Sequence, residues 1–215
     1  MMSTSGEASD EEIVLPWWQN PLNFVALGLA ALILGSGIGY LIGHNNATPD
    51  SNRVDIGFLQ DMRYHHDQAV QISYHYLTRT DDPNPRVTVL AEEILLGQQL
   101  ENGRMVQFLR DFGASEANDS GTAMGWMGMS MPIEEMTGLA TEAELDAFAA
   151  SSGDDAARQF ATLMIAHHEG GIHMAEYVIE NGRNEDVRAM AESMMKGQSA
   201  EVAELETLLS ELGGA

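Results

Sequence analysis

FATLMIAHHEGGIHMAEY, residues 160–177, decides the reading of this chain, because FLQDMRYHHDQAVQISYHY, residues 58–76, carries the same cluster. Phe160, Met164, His167, His168 and Glu169 follow Phe58, Met62, His65, His66 and Asp67 at one constant offset. A second match, AEEILLGQQLE from Ala91 and AESMMKGQSAE from Ala191, repeats Ala, Glu, Gly, Gln and Glu at nearly the same offset. Two independent matches of this kind mark one supersecondary unit used twice.

Outward from the first cluster, Phe58, Met62, His65 or His66, Ala69 and Ile72 recur at spacings of three and four, the apolar face of an amphipathic helix. TDDPNP, residues 80–85, stops that helix, and the next runs to Phe112 with Gly113 as its C-cap. Thr141-x-x-Glu144 has the form of a capping box and opens a short helix. The third long helix is expected over residues 154–180, ended by NGRN, and the fourth over residues 185–212. No alternating strand pattern is visible. The expected fold is all-α: an antiparallel four-helix bundle over residues 54–215, with repeats 54–113 and 154–212 and a long crossover at 114–153, as in ferritin-like folds.

Before the bundle come an acidic tail over residues 1–21, expected to be disordered, and LNFVALGLAALILGSGIGYLIG, residues 22–43, without a charge. The latter suits a single transmembrane helix, with Trp17, Trp18 and Tyr40 at the interfaces. A cleaved signal peptide needs a basic n-region and a shorter apolar core, and no Lys or Arg precedes Arg53, which favours an uncleaved anchor. The same lack of basic residues leaves orientation unassigned by charge. Residues 44–53 form a polar linker. Ala31, Gly35, Gly39 and Gly43 make a stripe for close approach of a second copy, a homodimer; equally, glycine is common in membrane helices, and both readings stand.

The formal charge is -23, from 33 acidic and 10 basic residues, which repels nucleic acid and excludes it as a partner. Solubility accounts for this charge better than cation collection does. There is no cysteine, so soft-metal chemistry must use thioether sulfur and imidazole nitrogen, and the chain has 14 methionines.

On a helix Met62 lies beside His65 and His66, and Met164 beside His167 and His168, so each motif offers one thioether and two imidazoles. His173 and Met174 extend the second cluster by a turn, and Asp61 and Glu169 are placed to orient an imidazole. A lone helical histidine is usually structural, but two Met-x-x-His-His motifs at equivalent positions favour ligation. In AMGWMGMSMPIEEM, residues 123–136, Met124, Met127, Met129, Met131 and Met136 alternate with Gly and Ser without helical spacing. Such a loop is expected to expose thioethers for metal capture; the competing reading is an adaptable hydrophobic lid. Di-iron chemistry lacks its Glu-x-x-His motif, because the helices with Glu92, Glu101, Glu192 and Glu201 contain no histidine. Gln98 with Glu101 and Gln198 with Glu201 are expected to hydrogen-bond across the bundle around the metal ligands. No nucleophile elbow, phosphate loop or HExxH is present.

The paired Met-x-x-His-His helices, the Gln-x-x-Glu helices and the Met-rich connector together resemble the bacterial family called domain of unknown function 305, over residues 54–212. The resemblance implies a ferritin-like bundle, exported or membrane-anchored, that binds copper or silver and contributes to metal tolerance. It matches Met62, His65, His66, Met164, His167 and His168 to the paired motifs, and Met124, Met127, Met129 and Met131 less strictly to the Met-rich stretch. Gln71 and Ile72 stand where the second half has His173 and Met174, and Leu205 where the first has Met105. The expectation is extracytoplasmic Cu(I) or Ag(I) binding, as store or buffer and not as an enzyme, weakening as histidines protonate. A metal oxidoreductase and a metal-free scaffold are the rival readings.

Overall fold

The computed structural model describes residues 16–45 and 49–213. Residues 1–15 of the acidic tail and 46–48 of the linker lie outside them. The chain divides into two compact units, Met1–Ala47 and Thr48–Ala215.

In the first unit a short turn at Trp17–Gln19 leads into α1, Pro21–Asn45. Asn20 Oδ1 caps it by accepting from Leu22 N at 3.0 Å. Pro21–Gly43 is long and apolar enough to cross a membrane, and none of its apolar window is buried.

The second unit holds four long helices: α2 (Arg53–Arg79), α3 (Pro85–Asp111), α5 (Gly153–Asn181) and α6 (Glu185–Gly213), with the short α4 (Glu142–Ala149) before α5. Their ends have local causes. Asn52 and Asp55 form a reciprocal capping box at α2, Asn84 caps α3 with Pro85 at its first position, and Thr141 with Glu144 forms the expected box at α4. Gly113 takes φ +66, the left-handed conformation that ends α3. Asp55 also accepts from Arg183 N and Asn184 N at 3.1 and 3.2 Å, which fixes the α5–α6 turn against the start of α2.

Two apolar clusters fill the interior, and each draws on all four long helices. One contains Phe58, Leu59 and Met62 of α2, Met105 and Leu109 of α3, Met174 and Val178 of α5, and Met190 and Met194 of α6. The other contains Ile72 and Tyr76, Leu90 and Ile94, Phe160 and Met164, and Leu205 and Leu208, joined by Phe148 of α4. Each side chain of this size contributes roughly 1.5–3 kcal/mol when fully buried.

The connector between α3 and α4 is ordered. Thr122–Ala123 (β1) pairs antiparallel with Met131–Pro132 (β2), a two-residue ladder too short to leave an alternating signature in sequence. Asp61 of α2, 1% exposed, holds the segment: it accepts from Met124 N at 2.7 Å, Trp126 Nε1 at 2.8 Å and Asn118 Nδ2 at 2.6 Å. These bonds offset the left-handed backbone of Met124, φ 59, which is costly for a non-glycine residue.

Candidate metal centre

Between the two apolar clusters the helices place a layer of histidines. His65 and His66 come from the middle of α2 and His167 and His168 from the middle of α5, all 0% exposed. The rings of His65 and His167 meet across the α2–α5 contact with centroids 3.7 Å apart and planes tilted by 33°. His66 and His168 flank them, with centroids 6.4 and 5.9 Å from their chain neighbours.

The outer pair meets carboxylates. His66 Nε2 is hydrogen-bonded to Glu101 Oε2 at 2.8 Å. His168 Nε2 lies 2.7 Å from Glu201 Oε2, but outside hydrogen-bonding angles. In the inner pair, His167 Nε2 meets the His65 carbonyl at 2.7 Å, which makes that nitrogen the N–H donor. Nδ1 of His66, His167 and His168 has no hydrogen-bond partner, and the ring nitrogens of His65 have only the Thr137 carbonyl nearby, outside good hydrogen-bonding geometry.

Burial holds the His65 imidazole well below its ordinary pKa of 6.5, and His167, His66 and His168 act in the same direction against a smaller opposing effect of the Thr137 carbonyl. Burial likewise lowers His167 well below 6.5, aided by His168 and opposed by the His65 carbonyl. Both are therefore neutral at pH 7, the form in which imidazole binds metal. Buried neutral nitrogen lone pairs without donors suit a soft or borderline cation. Among the described residues, no three His, Asp or Glu side chains converge to hold an ion by themselves.

Several expected participants are elsewhere. Asp61 holds the connector and orients no imidazole, and Glu169 is exposed. The carboxylates that meet the imidazoles are Glu101 and Glu201, and Gln98 and Gln198 are buried without partners rather than bonded across the helices. His173 is exposed, beside Glu176 and Glu180 in an α5–α6 groove, whereas Met174 is fully buried. Met62 and Met164 are buried one turn from the histidines, in opposite apolar clusters. The connector's thioethers are not generally exposed: Met124 and Met136 are 0% and 1% exposed, Met127 and Met131 are partly buried, and Met129 alone of these is 38% exposed. A loop that closes over a core packs its methionines inward, as the lid reading anticipates.

Sequence reasoning missed the glycine pair after the second histidines. A Cβ on Gly170 would strike the Thr137 carbonyl of the connector, and one on Gly171 would strike Gln198 Oε1 of α6. Their adjacency inside a helix, where glycine is disfavoured, was the available signal.

Residues 55–209 match the family described as Domain of unknown function (DUF305), from the first turn of α2 to near the end of α6. The chain belongs to this family. A DUF305 protein of Streptomyces coelicolor, provisionally assigned as secreted, is 34% identical with TM-score 0.68, over 74% of this chain and 94% of that one. A DUF305 fragment from Deinococcus radiodurans is 26% identical with TM-score 0.64, over 76% and 99%. CopM in its Cu(I)-bound form is 22% identical with TM-score 0.54, over 73% and 96%, and shares the fold; structures of it with Cu(II) and Ag also match. No curated protein matches the chain.

Proposed function

We propose that this DUF305 unit is a ferritin-like bundle that binds Cu(I), or Ag(I), at the histidine layer, and that α1 anchors it to a membrane with the bundle on the extracytoplasmic side. The observation that carries the reading is the buried pair His65 and His167, neutral and ring against ring, with Nδ1 of His167 unpartnered and the His65 nitrogens met only by the Thr137 carbonyl, outside good hydrogen-bonding geometry. An unpaired polar atom in a dry interior is costly, and a coordinated cation is one way to offset that cost. Met62 and Met164, one turn away on the same helices, supply thioethers that favour soft ions over Zn(II) or Fe(II). CopM, of the same fold, has been crystallised with copper and silver, which agrees with this donor set. The role is storage or buffering in metal tolerance, by coordination without turnover.

His65 and His167 would hold the ion, while Glu101 and Glu201 hold the outer imidazoles in place. The test is titration of the full chain in detergent with Cu(I) under reducing conditions against a competing chelator, with Zn(II) and Fe(II) in parallel. Cu(I)-selective uptake is expected, weakened by about a hundredfold or more in His65→Ala and equally in His167→Ala. Equal affinity for Zn(II), or Cu(I) binding unchanged in both variants, would sink the reading.

A further inference from the structure

The histidine layer is covered on one side by the connector and on the other lies behind a small cavity between α3 and α6. On the covered side the connector backbone at Thr137 and Gly138 packs against Gly170 of α5. On the other side α3 and α6 approach each other only loosely and leave a cavity of about 50 Å³. Gly97, Gln98 and Glu101 of α3 face Gly197, Gln198 and Glu201 of α6 around it. That volume admits a water molecule or a cation.

Three features set this seam apart. Gln98 and Gln198 are each 4% exposed, and neither the Oε1 nor the Nε2 of either has a partner, so four orphaned polar atoms line one small cavity. Gly97 and Gly197 sit in mid-helix, where glycine weakens the helix. Neither has a positive φ, and a Cβ on either would meet nothing within 4 Å, so no turn or close approach requires glycine there. Glu101 and Glu201, 25% and 32% exposed, have one oxygen each at 2.8 and 2.7 Å from the buried His66 and His168.

We infer that the α3–α6 seam is the route by which a metal cation passes from solvent to the buried histidines; this rests on the metal-binding reading above. The two part-exposed carboxylates attract the cation, and the amide oxygens of Gln98 and Gln198 replace its water as it enters. Gly97 and Gly197 leave the clearance that a side chain would occupy. Glu101 and Glu201 then pass it to His66 and His168, whose rings adjoin His65 and His167. Met194 on one wall, opposite Ile94, adds a thioether for a soft ion. Gly171 belongs to the same device, because only its missing Cβ lets Gln198 Oε1 sit where it does.

The experiment is stopped-flow transfer of Ag(I) and Cu(I) from a chromogenic chelator to the full chain in detergent, with equilibrium competition alongside. Paired Ala, Val and Leu replacements are made at Gly97 and Gly197, and thermal melts establish folding. Because a blocked route slows arrival and departure alike, both rates are expected to fall in order of side-chain size, by about tenfold or more in Gly97→Leu/Gly197→Leu, with the dissociation constant nearly unchanged. Gly103→Leu, on an exposed face of α3 with nothing within 4 Å of its Cβ, should leave the rates alone. Unchanged rates in the Leu pair would overturn the seam alone, as would an affinity loss without slowing. No uptake by the wild-type chain would overturn the metal reading and the route with it.

Discussion

The two ends of the helical core draw on matching positions of the two similar halves of the sequence, yet they are built from different side chains. Phe58 and Met62 lie in the cluster beneath the connector, whereas their counterparts Phe160 and Met164 lie in the other. At four further pairs the connector end has methionine where the far end has a branched aliphatic residue: Met105 against Leu205, Met174 against Ile72, Met190 against Leu90, and Met194 against Ile94. Met62, Met124 and Met136 join these four, while Met164 is the lone buried methionine of the far cluster. Aromatic contacts do not separate the ends: Tyr76, Phe148 and Phe160 pack with centroids 5.1 to 6.5 Å apart at the far end, and Phe58, Trp126 and Tyr177 at 5.6 to 6.1 Å under the connector. Packing alone gives no reason for four substitutions in one direction, since leucine and isoleucine fill similar volumes with better-defined rotamers. Branched side chains of fixed shape fill the far end, and adaptable thioethers fill the end under the connector.

The sharpest way to break this contrast is to release the connector. Asp61→Ala leaves Met124 N–H and Trp126 Nε1–H buried without an acceptor, and a loss of about 3 kcal/mol is expected from urea unfolding. Position 163, its counterpart in α5, is a partly buried leucine, and Leu163→Ala should cost only about 1 kcal/mol. Similar losses at both would mean that the connector does not stabilise the end it covers.

The histidine layer between the ends should make stability depend on pH. His65 and His167 are depressed well below 6.5 in the folded chain, so as pH falls the unfolded chain takes up protons first. Their contribution is fully present above about pH 6.5 and declines as pH drops toward the folded values, by at most about 2.7 kcal/mol per pH unit for two such groups. Urea midpoints between pH 6.5 and 5 should fall for the wild type and much less for His65→Leu/His167→Leu. Equal slopes would show that the pair is already protonated when folded. For the proposed metal binding, the same depression moves competition by protons to lower pH than an ordinary histidine would give.

The gentlest test makes the ends alike. Met105→Leu, Met174→Ile, Met190→Leu and Met194→Ile should each cost less than about 1.5 kcal/mol in denaturant melts, because they conserve volume. If the thioethers serve a soft ion, the quadruple variant binds fewer Cu(I) ions, or binds them more weakly, at unchanged fold. Unaltered uptake would reduce the methionines to packing.

The helices were legible because each signal is local: period, N-cap and C-cap lie within a few residues, and Asn84, Thr141 and Gly113 act where they stand. The histidines were legible because the motif occurs twice. What was hidden depends on partners far along the chain. Asp61 reads as an acid near His65 on a helix, but its donors stand at positions 118, 124 and 126. The burial of Met124 and Met136 follows from where the connector folds back, which no periodicity encodes. Glu101 and Glu201 stood in plain view, but which imidazole each meets is set by how α3 packs on α2 and α6 on α5.

The ring contact of His65 with His167 joins residues from two different hairpins. A single α2–α3 hairpin carries one inner histidine, one outer histidine and one carboxylate, so it holds half of the layer and nothing to set against it. Such a hairpin on its own could complete the layer only by pairing with a second molecule, and so only at sufficient concentration. With both hairpins in one chain the halves meet at any dilution, and equal histidines lie between unequal neighbours.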